Sequence, residues 1–128
     1  MASIFSKIIA GEIPCYKVQE NESFLAFLDI QPLRKGHVLV IPKVEVDNIF
    51  DIEDELLGEM MIFSKSVAKR IQQNFDCKKV GVTVIGLEVP HAHIHLIPIN
   101  SLADMDFSQD KLSLTTEELT EICAILQK

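Results

Sequence analysis

The sequence has few of the features that mark secreted or membrane proteins. Its three cysteines, Cys15, Cys77 and Cys123, are widely spaced and include no Cys-x-x-Cys pair, which favours reduced thiols over a disulfide framework. No apolar run approaches the roughly 20 residues of a membrane span, and the first residues contain no basic stretch leading into an apolar segment. We therefore expect a cytoplasmic protein.

Positive charge is also scarce. The chain has 12 lysines and arginines against 19 aspartates and glutamates, for a formal net charge of −7. Non-specific binding to nucleic acids or anionic membranes needs an attractive cationic surface, so neither is an expected partner. A small anionic ligand remains compatible with this charge, because a phosphate pocket needs only a few local donors.

The overall composition indicates one globular unit. Of 128 residues, 48% are apolar and 24% are charged, and the chain has no internal repeat or linker. This length suffices for a single hydrophobic core. We predict one domain spanning residues 1–128, in which residues 101–128 form a C-terminal extension ending in a helix.

The order of predicted elements favours an α+β domain with an antiparallel sheet. Ser3 is placed to cap a short helix, and the pattern Thr115-x-x-Glu118 is a capping box that predicts a final helix. Apolar residues at helical spacing predict a long helix over residues 51–75. The remaining apolar segments predict strands at residues 16–18, 24–29, 36–42, 80–85 and 92–99.

The most informative stretch is "PHAHIHLIP", residues 90–98, in which His91, His93 and His95 alternate with apolar residues. Side chains of a strand alternate between faces, so these three histidines are predicted to share one face and line a cleft. The fourth histidine of the chain, His37, follows Gly36 at the start of another predicted strand.

Three interpretations of this run are open from the residues alone. It is a strand with an ordinary polar face, a metal site, or a catalytic row. Alternate residues of a strand lie about 6.6–6.8 Å apart, so three histidines in line fit one tetrahedral ion poorly, and we predict no metal. A catalytic row is favoured, because one neutral imidazole can attack phosphorus while its neighbours bind the non-bridging oxygens.

The run "HAHIHLI" resembles the His-Φ-His-Φ-His-Φ-Φ signature, Φ being hydrophobic, of the histidine triad (HIT) family of nucleotide hydrolases and transferases. The segments "SIFSKIIAGEIP" and "FLAFLDIQPLRKGHVLVIPK" are similar to successive family blocks in the same order, most of all in the Hint branch. The resemblance implies a HIT-like α+β fold: a five-stranded antiparallel sheet with a long helix packed on it, plus short N-terminal and C-terminal helices. It also implies a homodimer in which the sheets continue across the interface.

The resemblance further implies a site for a purine nucleotide, with an AMP or GMP moiety as substrate or product. His93 would be the nucleophile and form a covalent nucleotidyl-histidine, His95 and His37 would contact the phosphate, and His91 would order the triad. Asp29 matches the carboxylate that binds the ribose hydroxyls. The base pocket would be formed by apolar residues that are otherwise expected in a plain core, namely Ile4, Phe5, Ile8, Phe27 and Ile30.

The implied function is hydrolysis at the α-phosphorus of purine nucleoside phosphoramidates, without a cofactor. Hydrolysis of dinucleoside polyphosphates uses the same triad and is one alternative. A dimeric nucleotide-binding interaction protein with little catalysis is the other.

Two departures from the family pattern stand out. Glu88 occupies the position, three residues before His91, where a serine or threonine is usual, in a shortened loop at residues 86–90. We expect its carboxylate to point to solvent; the alternative is that it favours an amine leaving group such as a lysine side chain. Some bacterial relatives bind structural zinc at positions that are Ser3, Ser6 and Glu45 here, so no such zinc is predicted.

Residues 101–113 carry no clear pattern. We predict a surface loop there, with closure over the active site, from this chain or from a partner subunit, as the alternative.

Overall fold

The sheet of this protein has five antiparallel strands in the order β1-β2-β3-β5-β4, in a computed structural model that describes residues 3–128. The strands are β1 (Lys17–Glu20), β2 (Phe24–Leu28), β3 (Val38–Pro42), β4 (Lys79–Thr83) and β5 (Ile94–Ile99). The helices are α1 (Ile4–Ile9), α2 (Asp54–Asn74) and α3 (Thr116–Leu126), and short 3₁₀ turns occur at Ile49–Asp51 and Leu102–Met105. Within residues 3–128, none of the helices combines the length and apolarity needed to span a bilayer.

The helix ends follow the capping residues of the sequence. The Ser3 hydroxyl accepts a hydrogen bond from the Ser6 N–H at 3.0 Å and begins α1. At α3, the Thr115 hydroxyl accepts from the Glu118 N–H, and the Glu118 carboxylate accepts from the Thr115 N–H, each at 3.1 Å. Both predicted caps are confirmed.

The two faces of the sheet are covered differently. Alternate residues of the central strands, such as Ala26, Val40 and Ile94, pack with α2 and α3 in the larger core cluster. The residues between them face α1, where Phe5 heads a smaller cluster whose sheet members are Leu25, Phe27, Leu39 and Ile41. Because α1 is only six residues long, this second face is covered only in part. The opening left beside α1 contains the candidate site.

The predicted fold class is confirmed, but several element boundaries differ from the prediction, including the starts of the long helix and of β5. The long helix begins at Asp54 rather than residue 51, because Asn48 caps a separate 3₁₀ turn before it. Strand β5 begins at Ile94 rather than residue 92, so His91 and His93 precede the strand. The His91 N–H bonds to the Val89 carbonyl and the Ala92 N–H to the Val46 carbonyl, which keeps this stretch out of the sheet ladder.

Candidate active site

His93 presents one free ring nitrogen to a cavity beside α1. Its Nδ1 lies 2.8 Å from the carbonyl oxygen of His91. A carbonyl only accepts, so Nδ1 carries the proton, and in the neutral ring Nε2 keeps its lone pair. The ring is held laterally by Phe5, whose ring edge packs against it at a centroid distance of 5.0 Å. This geometry is that of an oriented nitrogen nucleophile.

His95 presents the opposite group, an N–H, to the same cavity. Behind it, the Leu33 N–H donates to Nδ1 of His37 at 3.1 Å, so the neutral His37 ring carries its proton on Nε2. That Nε2 donates to Nδ1 of His95 at 2.9 Å. The proton of the neutral His95 ring is therefore on Nε2. Burial lowers the pKa of His37 to about 3 and that of His95 to about 4, which keeps both rings neutral at physiological pH.

The position of His37 differs from the expected phosphate contact. Its side chain is only 1% exposed and does not line the cavity, because His95 lies in front of it. Gly36 sets the turn that brings His37 there: its φ of +95° is a left-handed value, and a Cβ at this position would be 3.1 Å from the ring of Phe75. The His37 ring bonds to Nδ1 of His95 instead of facing the cavity.

His91 is fully buried and also lies outside the cavity. Its Nε2 donates to the Pro42 carbonyl at 2.8 Å, and its Nδ1 accepts from the Ser3 hydroxyl at 2.9 Å. Burial lowers the pKa of His91. The expectation that the three alternating histidines line one cleft is therefore wrong for His91, which precedes the strand and contributes its backbone carbonyl to His93 instead.

A hydrogen-bonded cluster holds the outer side of His91. The Ser3 N–H and the Ser6 hydroxyl both donate to Oε1 of Glu45, at 2.6 and 2.7 Å. These bonds lower the pKa of Glu45 to about 2. Structural zinc sites are built mainly from thiolates and imidazoles, and the hydroxyls here already bond to their neighbours, so this donor set does not fit zinc. Stoichiometric zinc in the purified protein would contradict that assignment.

The cavity itself has a volume of about 620 Å³, within the range of small-molecule sites. His93, His95 and Asp29 line its polar part, and Glu88 lies exposed at its rim. All five apolar residues predicted for the base pocket also line it: Ile4, Phe5, Ile8, Phe27 and Ile30. Phe5 and Phe27 are buried and pack edge to face at 5.5 Å, whereas Ile4 and Ile30 are 49% and 62% exposed and free to contact a ligand.

Asp29 directly follows β2, at the junction of the apolar and polar parts of the cavity. Its Oδ1 accepts from the Gln31 N–H at 2.9 Å, and its Oδ2 lies 3.6 Å from Nε2 of His37. Burial raises the pKa of Asp29, and the nearby Glu88 adds to this shift. The remaining acceptor positions of the carboxylate are available to a ligand.

Ligand atoms of Asp29, His37 and His95 all lie within 4.8 Å of one another, which makes them the one candidate metal cluster in residues 3–128. Nε2 of His37 and Nδ1 of His95 already form a hydrogen bond with each other. A metal ion would have to displace that bond and the His37 proton, so the cluster is better suited to orienting His95.

The cavity wall also includes residues that were not predicted for the site. Phe107 and Lys111, from the stretch predicted as a surface loop, both line the cavity. Phe107 packs its ring against His95 with a centroid distance of 4.9 Å. A single aromatic and a single basic residue in this stretch give no periodic pattern in the sequence. Only contacts with distant segments bring them to the site.

Comparison with known proteins agrees with this arrangement. A family model described as the HIT domain matches residues 10–102. Protein hit of Bacillus subtilis is 41% identical over 102 residues, covering 74% of this chain and 69% of that protein. A Schizosaccharomyces pombe protein named adenosine 5'-monophosphoramidase hnt1 is 39% identical over 99 residues, covering 77% of this chain and 74% of that protein.

Solved structures extend the similarity to nearly the whole chain. The crystal structure of a Hit-like protein from Bartonella henselae, described as involved in cell-cycle regulation and bound to an unknown ligand, has a TM-score of 0.85. It is 30% identical in sequence, and the match covers 98% of this chain and 93% of that one. On the family model, the curated relatives and this fold, the chain belongs to the HIT family.

Proposed function

We propose that this protein is a nucleotide-binding hydrolase that cleaves purine nucleoside phosphoramidates at the α-phosphorus. The observation that supports this proposal most is the different chemistry of two ring nitrogens in one cavity. Nε2 of His93 presents a lone pair, and Nε2 of His95 presents an N–H. The name of the S. pombe relative, an adenosine 5'-monophosphoramidase, supports the choice of a phosphoramidate substrate.

In the proposed reaction, Nε2 of His93 attacks the α-phosphorus and the bond from phosphorus to the leaving nitrogen breaks. The leaving nitrogen takes a proton from solvent and departs as the free amine, and a covalent nucleotidyl-histidine remains; the proton returns to solvent from the water of the second step. Water then attacks the same phosphorus, releases the nucleoside monophosphate and restores His93. The Nε2–H of His95 is placed to bind a non-bridging oxygen as its negative charge develops.

The ligand orientation follows from the cavity lining. With the phosphate at His93 and His95, the ribose hydroxyls reach the Asp29 carboxylate and the base lies among the exposed side chains of Ile4 and Ile30. A carboxylate is a good acceptor for two hydroxyls, and an apolar wall suits the face of a purine.

The test is hydrolysis of adenosine 5'-phosphoramidate by the purified protein and by His93→Ala. We expect His93→Ala to lose about 10⁴-fold or more in turnover while it still binds AMP, because only the nucleophile is removed. Brief reaction of the wild type with a labelled substrate, followed by denaturation and peptide mapping, should place the nucleotide on His93. A label on another residue would contradict the mechanism.

The same assay separates the two alternatives. Diadenosine tetraphosphate hydrolysed faster than the phosphoramidate would favour a dinucleoside polyphosphate hydrolase. AMP binding without turnover of either substrate would favour a nucleotide-binding interaction protein.

We also propose a homodimer that forms through β4. This strand lies at the edge of the sheet, and its side chain Val82 is 50% exposed. Next to it, apolar side chains of the loop after β4, the 3₁₀ turn and α2 line a second concave surface that includes Ile85, Phe50 and Met61. An unpaired edge beside an apolar surface favours self-association.

Light scattering after size-exclusion chromatography tests this arrangement. The wild type is expected at twice the mass of one chain, and Val82→Lys is expected to shift the population to monomer. Glu22→Lys, a charge change at an exposed position in the turn between β1 and β2, at the opposite edge of the sheet, is the control and should remain dimeric. A monomeric wild type would contradict the proposal.

A further inference from the structure

The segment that leaves the second 3₁₀ turn, Leu102–Met105, returns to the cavity and is fixed at both ends. We call residues 104–112 the return segment. At its start, the Asp104 carboxylate accepts from the Asn100 N–H at 2.7 Å and forms an ion pair with Arg34 at 2.7 Å. At its end, the Leu112 N–H donates to the Pro32 carbonyl at 2.8 Å. Its path between these points is therefore defined by the body of the protein.

Packing on β4 adds a third attachment. Met105 lies over Gly81, where a Cβ would be only 2.8 Å from the methionine sulfur. The absence of a side chain at Gly81 lets the return segment approach the sheet this closely. Phe107 then packs against His95, which places the residues after it at the phosphate end of the cavity.

Lys111 is the one lysine or arginine that lines the cavity among residues 3–128. Its Nζ donates to the Phe107 carbonyl at 3.1 Å and lies 5.8 Å from the centroid of the Phe107 ring. An ammonium group has three donors, so two remain for a ligand. Its charge acts on the site already, since it opposes the rise that burial causes in the pKa of Asp29 and adds to the lowering of the pKa of His37 and His95.

Without Lys111, the negative charge of the cavity wall would repel a phosphate. Asp29 and Glu88 both place carboxylates on its wall, and His95 is held neutral by burial. Glu88 moreover stands where a neutral hydroxyl is usual in the family. A phosphate in this cavity therefore needs a fixed positive charge, and within the described chain the lining supplies one from the return segment.

We propose that Lys111 binds the phosphate oxygens of the nucleotide and, with the return segment that carries it, makes this cavity selective for nucleotides over nucleosides. The inference rests on the proposed function, which places the nucleotide phosphate at His93 and His95. The positive charge of Lys111 then offsets the negative charge of Glu88. The backbone carbonyl of Phe107, which accepts a hydrogen bond from Nζ, fixes the position of the ammonium group.

The test is calorimetric titration of AMP and of adenosine into the wild type, Lys111→Met and Lys111→Arg. We expect Lys111→Met to weaken AMP binding roughly tenfold, as for loss of one charge-assisted hydrogen bond, and to leave adenosine binding within about twofold. Lys111→Arg should retain AMP affinity within about threefold, because it keeps the charge. Lys65→Met, with the same charge change on the exposed face of α2, is the matched control and should bind AMP as the wild type does.

The outcomes distinguish this inference from the function on which it rests. An equal loss of AMP and adenosine affinity in Lys111→Met would show that the lysine only holds the return segment in place. AMP binding that Lys111→Met leaves unchanged would likewise overturn the role of Lys111 while the nucleotide site stands. No AMP binding by the wild type would overturn both proposals.

Discussion

The four histidines form two layers that differ in how their ring nitrogens are used. In the inner layer, His37 and His91 are 1% and 0% exposed, and both nitrogens of each ring bond to protein atoms. In the outer layer, His93 and His95 each have one nitrogen fixed from behind and one directed to the cavity. The histidine side chain is thus structural where both of its hydrogen bonds are made, and it is available to a ligand where one ring nitrogen is left open.

Burial also fixes the protonation state of the inner rings. Both nitrogens of an inner ring are desolvated, and burial lowers the pKa of His37 and of His91. A neutral ring with a fixed tautomer is a directional donor and acceptor. The His37 ring and the backbone carbonyl of His91 therefore set which nitrogen of His95 and of His93 faces the cavity.

The largest expected difference between the layers is in stability. His91→Ala leaves a cavity and removes the partner of the Pro42 carbonyl and the Ser3 hydroxyl, so we expect a loss of about 3 kcal/mol in the free energy of unfolding. His93→Ala, at the edge of an open cavity, should cost about 1 kcal/mol. Urea denaturation of both variants measures this, and equal losses would contradict the division into layers.

The second prediction concerns acid. His37 and His95 have folded pKa values of about 3 and about 4, against 6.5 for the ordinary side chain. Between these limits the unfolded chain binds more protons than the folded one, so stability falls as pH decreases. From pH 6.5 to 5 we expect roughly 1–2 kcal/mol of lost stability for each ring. His37→Gln should show a shallower slope in thermal or urea unfolding over this range, and an unchanged slope would contradict the role of His37.

An effect of comparable size, on the rate instead of on stability, is expected when the inner layer is altered without removing a reacting group. His37→Phe deletes the donor to Nδ1 of His95, so the His95 ring is free to adopt either tautomer. We expect a 10- to 100-fold loss in kcat with little change in AMP affinity. His37→Gln, which retains an N–H donor near the position of Nε2, should restore much of the rate. If both variants lose the rate equally, only the packing of His37 matters.

The smallest effect concerns the rim of the outer layer. If Glu88 attracts a cationic amine leaving group, Glu88→Gln should reduce kcat/KM a few-fold for a lysine-bearing phosphoramidate and leave a neutral one unchanged. The effect is small because Glu88 is exposed and its charge is screened. An equal effect on both substrates would rule out a role of Glu88 in selecting the leaving group.

Much of the fold was predictable because its signals are local. Ser3 and Thr115 cap helices through contacts three residues away, and apolar residues at helical spacing identify α2. The turn between β1 and β2 is likewise local, since the Asn21 side chain accepts from the N–H groups of Ser23 and Phe24. The histidine run then identified the site, because its spacing and the flanking blocks resemble one family.

The roles of individual histidines were not readable from alternation alone. Alternation gives His91, His93 and His95 one face only if all three belong to a strand, and β5 includes just His95. The bonds from His91 to Ser3 and Pro42 span 88 and 49 residues of sequence, and no local pattern encodes them. The same holds for Lys111, whose segment reaches the cavity through Asp104 with Arg34 and Leu112 with Pro32.

The sequence by itself determined the α+β class, the positions of the helix caps and the stretch that carries the chemistry. These depend on the polarity and side-chain chemistry of residues within about one turn or one strand of each other. Only the tertiary structure decided which histidines are buried, which nitrogen of each ring is free, and that Lys111 lines the cavity beside His95. Burial and hydrogen-bond partners across the sheet set protonation and tautomer, and these arise only when distant segments pack together.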